Sequence, residues 1–203
     1  MSGVSAPDFW QELYEQGRDG WETGAPHPSL VHLVETTPPP RGRVAVPGCG
    51  RGHDARFLAS RGYEVVGFDF ADAAVAEARR LARRDGVSVT FEQRDIFTLE
   101  RGYAQTFDGI WEYTCYCAID PRRRAEYLGV MAAILKPGGW LLACFFPVRS
   151  WGAGPPYPVS KGEARRLLAR HFRIEREFPP PRPVVRRAGQ EWMVYAVKTG
   201  GPA

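Results

Sequence analysis

Lysine is scarce in this chain: it occurs only at positions 136, 161 and 198, so arginine carries most of the basic side of a net charge of +4. An arginine-rich balance is compatible with nucleic acid. The densest cluster, however, is Arg79, Arg80, Arg83 and Arg84, on a predicted helix whose opposite face carries Val75, Ala78 and Ala82, which is the pattern of a solvated surface. No apolar run reaches the length of a membrane span. The first residues, Met1 to Pro7, lack the basic region and apolar stretch of a secretory leader, so a cytoplasmic protein with no membrane partner is expected. Cysteine is limited to Cys49, Cys115, Cys117 and Cys144, never as C-x-x-C, and these read as buried small side chains rather than ligands or disulfides. His27, His32 and His53 have no zinc-type spacing, and no metal is expected. No internal repeat is visible.

What is present is enough for one domain: 203 residues, of which 44% are hydrophobic. The run Val44-Ala-Val-Pro-Gly-Cys-Gly-Arg-Gly-His-Asp54 joins a short apolar strand to a helix through glycines at 48, 50 and 52, which permit a tight turn and close approach of the backbone to a ligand. A dinucleotide fingerprint, G-x-G-x-x-G, would place its third glycine at position 53, which is His53. A second strand, Glu64-Val-Val-Gly-Phe-Asp69, ends in an acid suited to ribose hydroxyls; Asp69 supports a ribose-bearing ligand without choosing between a dinucleotide and another nucleoside cofactor. A third, Val87 to Glu92, leads into Arg94-Asp95-Ile96-Phe97.

Helical and strand patterns alternate from the glycine loop to residue 146, the signature of right-handed βαβ units around a mainly parallel sheet. Ahead of them lie a short helix from about Asp8 to Gln16, a glycine-rich loop, a helix near Ser29 to Glu35, and a break at Thr36-Thr-Pro-Pro-Pro40. Further helices are expected near Gly52 to Ser60 and Ala71 to Arg84, a fourth strand over Phe107 to Tyr113, and a helix opened by Pro121 with Tyr127, Leu128, Met131, Ile134 and Leu135 on its apolar face. Lys136-Pro-Gly-Gly139 predicts a turn into a fifth strand, Trp140 to Phe146. After a Pro- and Gly-rich loop, a helix is expected from Ser160 to Arg170, then strands Phe172 to Phe178 and Glu191 to Lys198 as an antiparallel edge.

The alternating G-x-G-x-G pattern is similar to the first motif of S-adenosylmethionine-dependent methyltransferases. The stretches Tyr113-Thr-Cys-Tyr-Cys-Ala-Ile-Asp-Pro121, Leu135-Lys-Pro-Gly-Gly139, Phe146-Pro147 and Gly154-Pro-Pro-Tyr-Pro-Val159 are more specific. With them the chain, from Trp10 to about Lys198, closely resembles the thiopurine S-methyltransferase superfamily, and within it the branch that methylates thiols, thiocyanate, hydrosulfide and halides. The resemblance implies a Rossmann-like class I α/β fold with six parallel strands and an antiparallel seventh. Residues 1–40 would form a helical cap over the cofactor and 41–203 the core of a single methyltransferase domain.

By the same resemblance the cofactor is S-adenosylmethionine. It would be held by the aromatic cap Trp10, Tyr14 and Trp21, by Gly48, Gly50 and Gly52, by Asp69 at the ribose, by Asp95 and Ile96 at the adenine, and by Tyr113 at the end of strand four. Aromatic faces stabilise a sulfonium cation, which is the physical reason for such a cap. Relatives often carry a second tryptophan where this chain has Tyr14. Tyr157, in the Gly-Pro-Pro-Tyr loop, matches a tyrosine beside the acceptor and is the candidate catalytic residue. DNA amino-methyltransferases carry a similar Pro-Pro-Tyr directly after strand four, where this chain has Glu112-Tyr-Thr-Cys115, so position argues against nucleic acid.

Arg149, Arg186 and Arg187 lie in loops above the same sheet edge, and solvent is the expected fate of each. The expected partner is a small-molecule acceptor and the expected assembly a monomer. Methylation of a nucleic acid or protein, and cofactor binding without catalysis, stand as the alternatives.

Overall fold

The computed structural model describes residues 3–149 and 152–200. Seven strands form one sheet: β1 (Arg43–Pro47), β2 (Glu64–Asp69), β3 (Thr90–Gln93), β4 (Phe107–Glu112), β5 (Leu135–Phe145), β6 (Phe172–Phe178) and β7 (Trp192–Lys198), in the order β3-β2-β1-β4-β5-β7-β6. The β1–β2, β1–β4, β2–β3 and β4–β5 pairings are parallel, and β7 runs antiparallel to both neighbours. The helices are α1 (Pro7–Glu15), α2 (Pro28–Thr36), α3 (His53–Ser60), α4 (Asp72–Asp85), the single turn α5 (Glu100–Tyr103), α6 (Arg124–Ile134) and α7 (Lys161–Leu168).

Alternation along the strands divides the core between the two faces of the sheet. Val44, Val46, Val65, Trp111 and Leu142 pack with Leu30, Leu58, Val75 and Ala78 of α2, α3 and α4. Ala45, Val66, Phe68, Ile110, Leu141 and Phe145 pack on the other side with Tyr127, Leu128, Met131 and Leu168 of α6 and α7. Strands buried on both faces read as unbroken apolar runs, as β1 does from Val44 and β5 from Trp140 onward.

Four boundaries differ from expectation for local reasons. β3 begins at Thr90, because Gly86 ends α4 with φ +66° and the Val87 amide still donates to the Ala82 carbonyl of that helix end. β4 stops at Glu112, which leaves Tyr113 beyond the ladder. The turn at Lys136 to Gly139 lies within β5: Phe107 pairs with Leu135 and Gly109 with Trp140, so the extra residues loop out of register, with Gly138 at φ +73°. Leu135 is therefore the first residue of β5 rather than part of the helix face. Pro121 opens a 3-10 turn, Pro121–Arg123, that leads into α6.

The last two strands add as the expected antiparallel hairpin-like edge, with the later strand innermost. β7 inserts between β5 and β6, which leaves β6 outermost. The reason is hydropathy: Trp192, Met193, Val194 and Ala196 of β7 are buried, whereas Arg173, Glu175, Arg176 and Glu177 of β6 are exposed and suit an edge that must resist further pairing.

Candidate active site

The carboxyl ends of β1, β2 and β4 open into a cavity of about 210 Å³, the position at which open α/β sheets bind ligands. Its floor begins at the turn after β1. Gly48 has φ +59°, and a Cβ there would lie 2.9 Å from the Cys115 side chain, so only glycine fits. Gly48 lines the cavity; Gly50 and Gly52 shape the turn behind it. The Gly50 amide donates to Asp69 Oδ2 at 2.8 Å, and Gly52, at φ +70°, opens α3 against the Phe91 ring.

Asp69 reaches the cavity from the end of β2 and is 7% exposed. Burial raises its pKa, while the amides of Ala71 and Gly50 favour the carboxylate. The oxygens that accept those amides keep lone pairs for hydroxyl donors. Asp95, which caps the 3-10 turn Ile96–Thr98 by accepting from the Phe97 amide at 2.9 Å, lines the same cavity with Ile96 and Phe97. Arg123 lies 3.4 Å from the Phe97 ring centroid and closes that end.

The roof comes from the N-terminal segment. Trp10, Tyr14 and Trp21 all line the cavity. Trp21 meets Trp10 edge to face at 5.5 Å and Tyr14 at 5.4 Å, and its indole N–H donates to the Tyr14 hydroxyl at 3.2 Å. Burial pushes the Tyr14 phenol well up, so it stays neutral. Acid–base pairs tie the roof to the glycine turn and α3: Arg51 to Asp19 at 2.6 Å, and His53 to Glu22 at 3.1 Å. Burial opposes ionisation of Glu22, but the His53 bond and the Gly24 and Thr23 amides outweigh it and bring its carboxyl down to about 2.

The remaining wall holds Tyr113, Cys115, Cys117, Phe146, Pro155, Pro156 and Arg187. Arg187 departs from the expectation of a solvated side chain: it is 4% exposed, stacked 4.6 Å over the Phe146 ring, and donates to the Tyr113 hydroxyl at 2.5 Å and to the Trp21 carbonyl at 2.8 Å. Arg149 is exposed as expected. Arg186 is exposed too, though it donates to the Glu22 carbonyl at 2.9 Å. Burial raises the Cys117 thiol to about 12, so it is not a thiolate nucleophile.

Tyr157 stands outside the wall that its loop provides. The prolines before it face the cavity, while its amide donates to the Cys117 carbonyl at 2.7 Å, its carbonyl accepts from Arg124, and its ring packs over Gly154. Its phenol lies near enough to exposed Arg122 to act on it electrostatically.

Three polar residues went unassigned in the sequence. Asp54, at the end of the glycine run, accepts the His27 amide at 2.6 Å and the Trp111 indole at 2.8 Å, with burial raising its pKa. His27 caps α2 and approaches Glu191, which in turn accepts from the Tyr113 hydroxyl at 2.9 Å. Only the adjacency of His27 to Pro28 and of Glu191 to an apolar strand marks them locally, and neither signals chemistry.

A family model described as Thiopurine S-methyltransferase (TPMT) matches residues 5–181. "Probable thiol methyltransferase 2" of Arabidopsis thaliana is 38% identical over 161 residues, covering 78% of this chain and 70% of that one. "Thiocyanate methyltransferase 1" of the same plant is 35% identical with the same coverage. Among solved structures, the 1,6-didemethyltoxoflavin-N1-methyltransferase of Burkholderia thailandensis, determined with its substrate and S-adenosylhomocysteine, superposes with a TM-score of 0.75 at 27% identity, over 96% of this chain and 87% of that one. The fold is that of the class I S-adenosylmethionine-dependent methyltransferases, and the chain belongs to the thiopurine S-methyltransferase family.

Proposed function

We propose that this enzyme moves the methyl group of S-adenosylmethionine to a small soft nucleophile: a thiol, hydrosulfide or thiocyanate first, a halide or thiopurine by extension. The carrying observation is the polarity of the cavity. Its lining combines the carboxylates Asp69 and Asp95, suited to ribose and adenine, with the aromatic roof and with the guanidinium of Arg187 stacked on Phe146. The residues fit the cofactor: Asp69 retains acceptor capacity for ribose hydroxyls, Asp95 and Ile96 offer an acceptor and an apolar surface to an adenine, and Trp10, Tyr14 and Trp21 present ring faces to a cation. Bound there, the cofactor supplies an electrophilic methyl group whose leaving group is a neutral thioether.

The protein's task is then to bind, align and dry the acceptor. Proximity and alignment are worth roughly 7–11 kcal/mol in such a displacement. Arg187 favours an anionic acceptor, because a desolvated guanidinium interacts strongly with a charge placed beside it. A roofed cavity of about 210 Å³ suits a small molecule better than a strand of nucleic acid. The surface arginines of α4 are largely engaged, Arg79 with the Phe91 carbonyl, Arg80 with Glu77 and Arg84 with Asp85.

The test is S-adenosylhomocysteine production over a panel of thiol, hydrosulfide, thiocyanate, iodide and thiopurine acceptors. Turnover on the sulfur acceptors is expected. Cofactor binding with no turnover on any of them would leave a binding module instead. A rise in melting temperature with NAD but not S-adenosylmethionine would overturn the cofactor assignment.

A further inference from the structure

His27, Cys144 and Glu191 bring a nitrogen, a sulfur and an oxygen within 4.8 Å of one another in the buried interior. Hydrogen bonding argues against a metal there. His27 Nδ1 accepts the Ser29 amide at 3.1 Å, so the neutral ring carries its proton on Nε2, which faces Glu191 Oε1 at 3.2 Å as a donor. Glu191 is equally engaged: Oε1 also accepts from the Tyr113 hydroxyl, and Oε2 from the Val184 amide at 3.2 Å. The result is a carboxylate held by three donors, its side chain fully excluded from solvent. The groups facing it are His27 at the start of α2, Tyr113 beyond β4, Cys144 in β5, and Arg187 in the loop before β7, which reaches it through the Tyr113 hydroxyl.

This arrangement is more than is needed to seat a guanidinium. A pre-ionised acceptor brings no proton to the site, but a neutral thiol must lose one as its sulfur is alkylated. We propose that Glu191 is the terminal proton acceptor for thiol substrates, reached from the cavity through the Tyr113 hydroxyl. The inference rests on the methyltransferase reading above and adds to it a division between protonated and pre-ionised acceptors.

In the step, the thiol sulfur uses one electron pair to form its bond to the methyl carbon, and the pair of the broken carbon–sulfonium bond stays on the departing thioether. The S–H bond breaks with its electrons kept on the acceptor sulfur. That proton goes to the Tyr113 oxygen as the proton of Tyr113 passes to Glu191 Oε1. Charge is conserved: the cofactor loses its positive charge and the carboxylate its negative one. After the product leaves, Glu191 returns the proton to water by the reverse route. Tyr113 is suited to a relay rather than a reservoir, since burial raises its phenol far above the ordinary range, so it hands on a proton without dwelling as a phenolate. Burial likewise keeps Cys144 a thiol and out of the chain of transfer.

The experiment is Glu191→Gln assayed with an alkanethiol and with thiocyanate across a pH series, alongside cofactor affinity by calorimetry. Loss of a general base is worth about 100-fold or more. Thiol turnover near neutral pH is therefore expected to fall about 100-fold with little change in KM, and to recover as pH rises toward the thiol's own pKa. Thiocyanate turnover should stay within about threefold of wild type, and calorimetric affinity for S-adenosylmethionine should be unchanged. Equal slowing of both acceptors at every pH would overturn the relay and leave Glu191 as a prop for Arg187; so would an unslowed thiol reaction. If Glu191→Gln fails to fold, Tyr113→Phe decides, since it breaks the path but keeps the carboxylate: whatever loss the two acceptors share through the cavity wall and Arg187, the ratio of thiol to thiocyanate turnover must fall about 100-fold, and an unchanged ratio overturns the relay. A wild-type enzyme inactive on both acceptors would refute the functional reading, and the relay with it.

Discussion

The sheet and the roof over the cavity are held together by different physics. The strands are bound by apolar burial on both faces, with Val44, Phe68, Phe107, Ile110 and Trp111 excluded from solvent. In α1, by contrast, no residue is fully buried. The roof is fastened by ring edges and discrete polar bonds: the Ala73 amide to Gln11 at 3.0 Å, Arg51 to Asp19, His53 to Glu22, and Arg187 to the Trp21 carbonyl. Segments with few buried apolar contacts open locally at low cost. A permanent floor and a releasable roof are what a site needs when its ligand must enter, lose water and leave.

The comparison breaks most visibly at Phe107, which is fully buried against Phe68 and Tyr103. Phe107→Ala should cost about 3–5 kcal/mol of unfolding free energy, measured by denaturant titration, because the cavity it leaves cannot collapse between two packed layers. A loss under about 1 kcal/mol would show that the floor is no more rigid than the roof.

Acid should release the roof first. Glu22 has its carboxyl lowered to about 2 from an ordinary 4.5, so the stabilisation is complete above about 4.5 and is lost as pH falls toward 2. A shift of that size corresponds to at most about 3 kcal/mol. Cofactor affinity followed by calorimetry from pH 6 downward should decline through this window, and Glu22→Gln should flatten that part of the decline. An identical decline in the variant would remove Glu22 as the cause.

Asp69→Ala should weaken S-adenosylmethionine binding by about 1.5–3 kcal/mol, the worth of a hydrogen bond to a charged group. Asp69 also braces the Gly50 and Ala71 amides, so melting temperature should fall as well. Unchanged affinity in the folded variant would take the ribose away from this residue. Trp21→Ala, in the roof, should act oppositely in balance: about a tenfold rise in the Michaelis constant for the cofactor, or about 1.4 kcal/mol, with melting temperature nearly unaltered. A large stability loss with intact affinity would reclassify Trp21 as core.

The smallest effect is expected at Tyr157. Because the prolines before it, rather than its hydroxyl, face the cavity, Tyr157→Phe should change turnover by no more than about threefold, within about 0.7 kcal/mol. A tenfold loss would show that the loop rearranges to present that hydroxyl to the acceptor.

The cavity-lining elements proposed to hold the cofactor were legible in the sequence because they are local. A glycine turn after one strand, Asp69 at the end of the next and Asp95 after the third each announce themselves within a few residues. Strand order at the far edge was not legible in the same way, since β6 and β7 are both plausible edges until their charge is weighed against β5. The polar cluster proposed to serve the acceptor was harder still. Glu191 meets Tyr113 across 78 positions and His27 across 164, and Arg187 meets the Trp21 carbonyl across 166. Arginine in a polar loop is most often solvated, and nothing near Arg187 in the chain indicates that Phe146 and Tyr113 will bury it.

The interior position of β7 sets an order of assembly. Synthesis delivers Gly48, Asp69 and Asp95 early, at the ends of strands that pair with one another, whereas a domain completes its fold as a unit. Arg187 and Glu191 lie in the loop that feeds the last strand, and that strand must slot between β5 and β6 before either residue meets Tyr113. The residues proposed to hold the nucleoside are thus made well before those proposed to govern the acceptor. The proposed acceptor wall is complete only once β7 has joined the sheet.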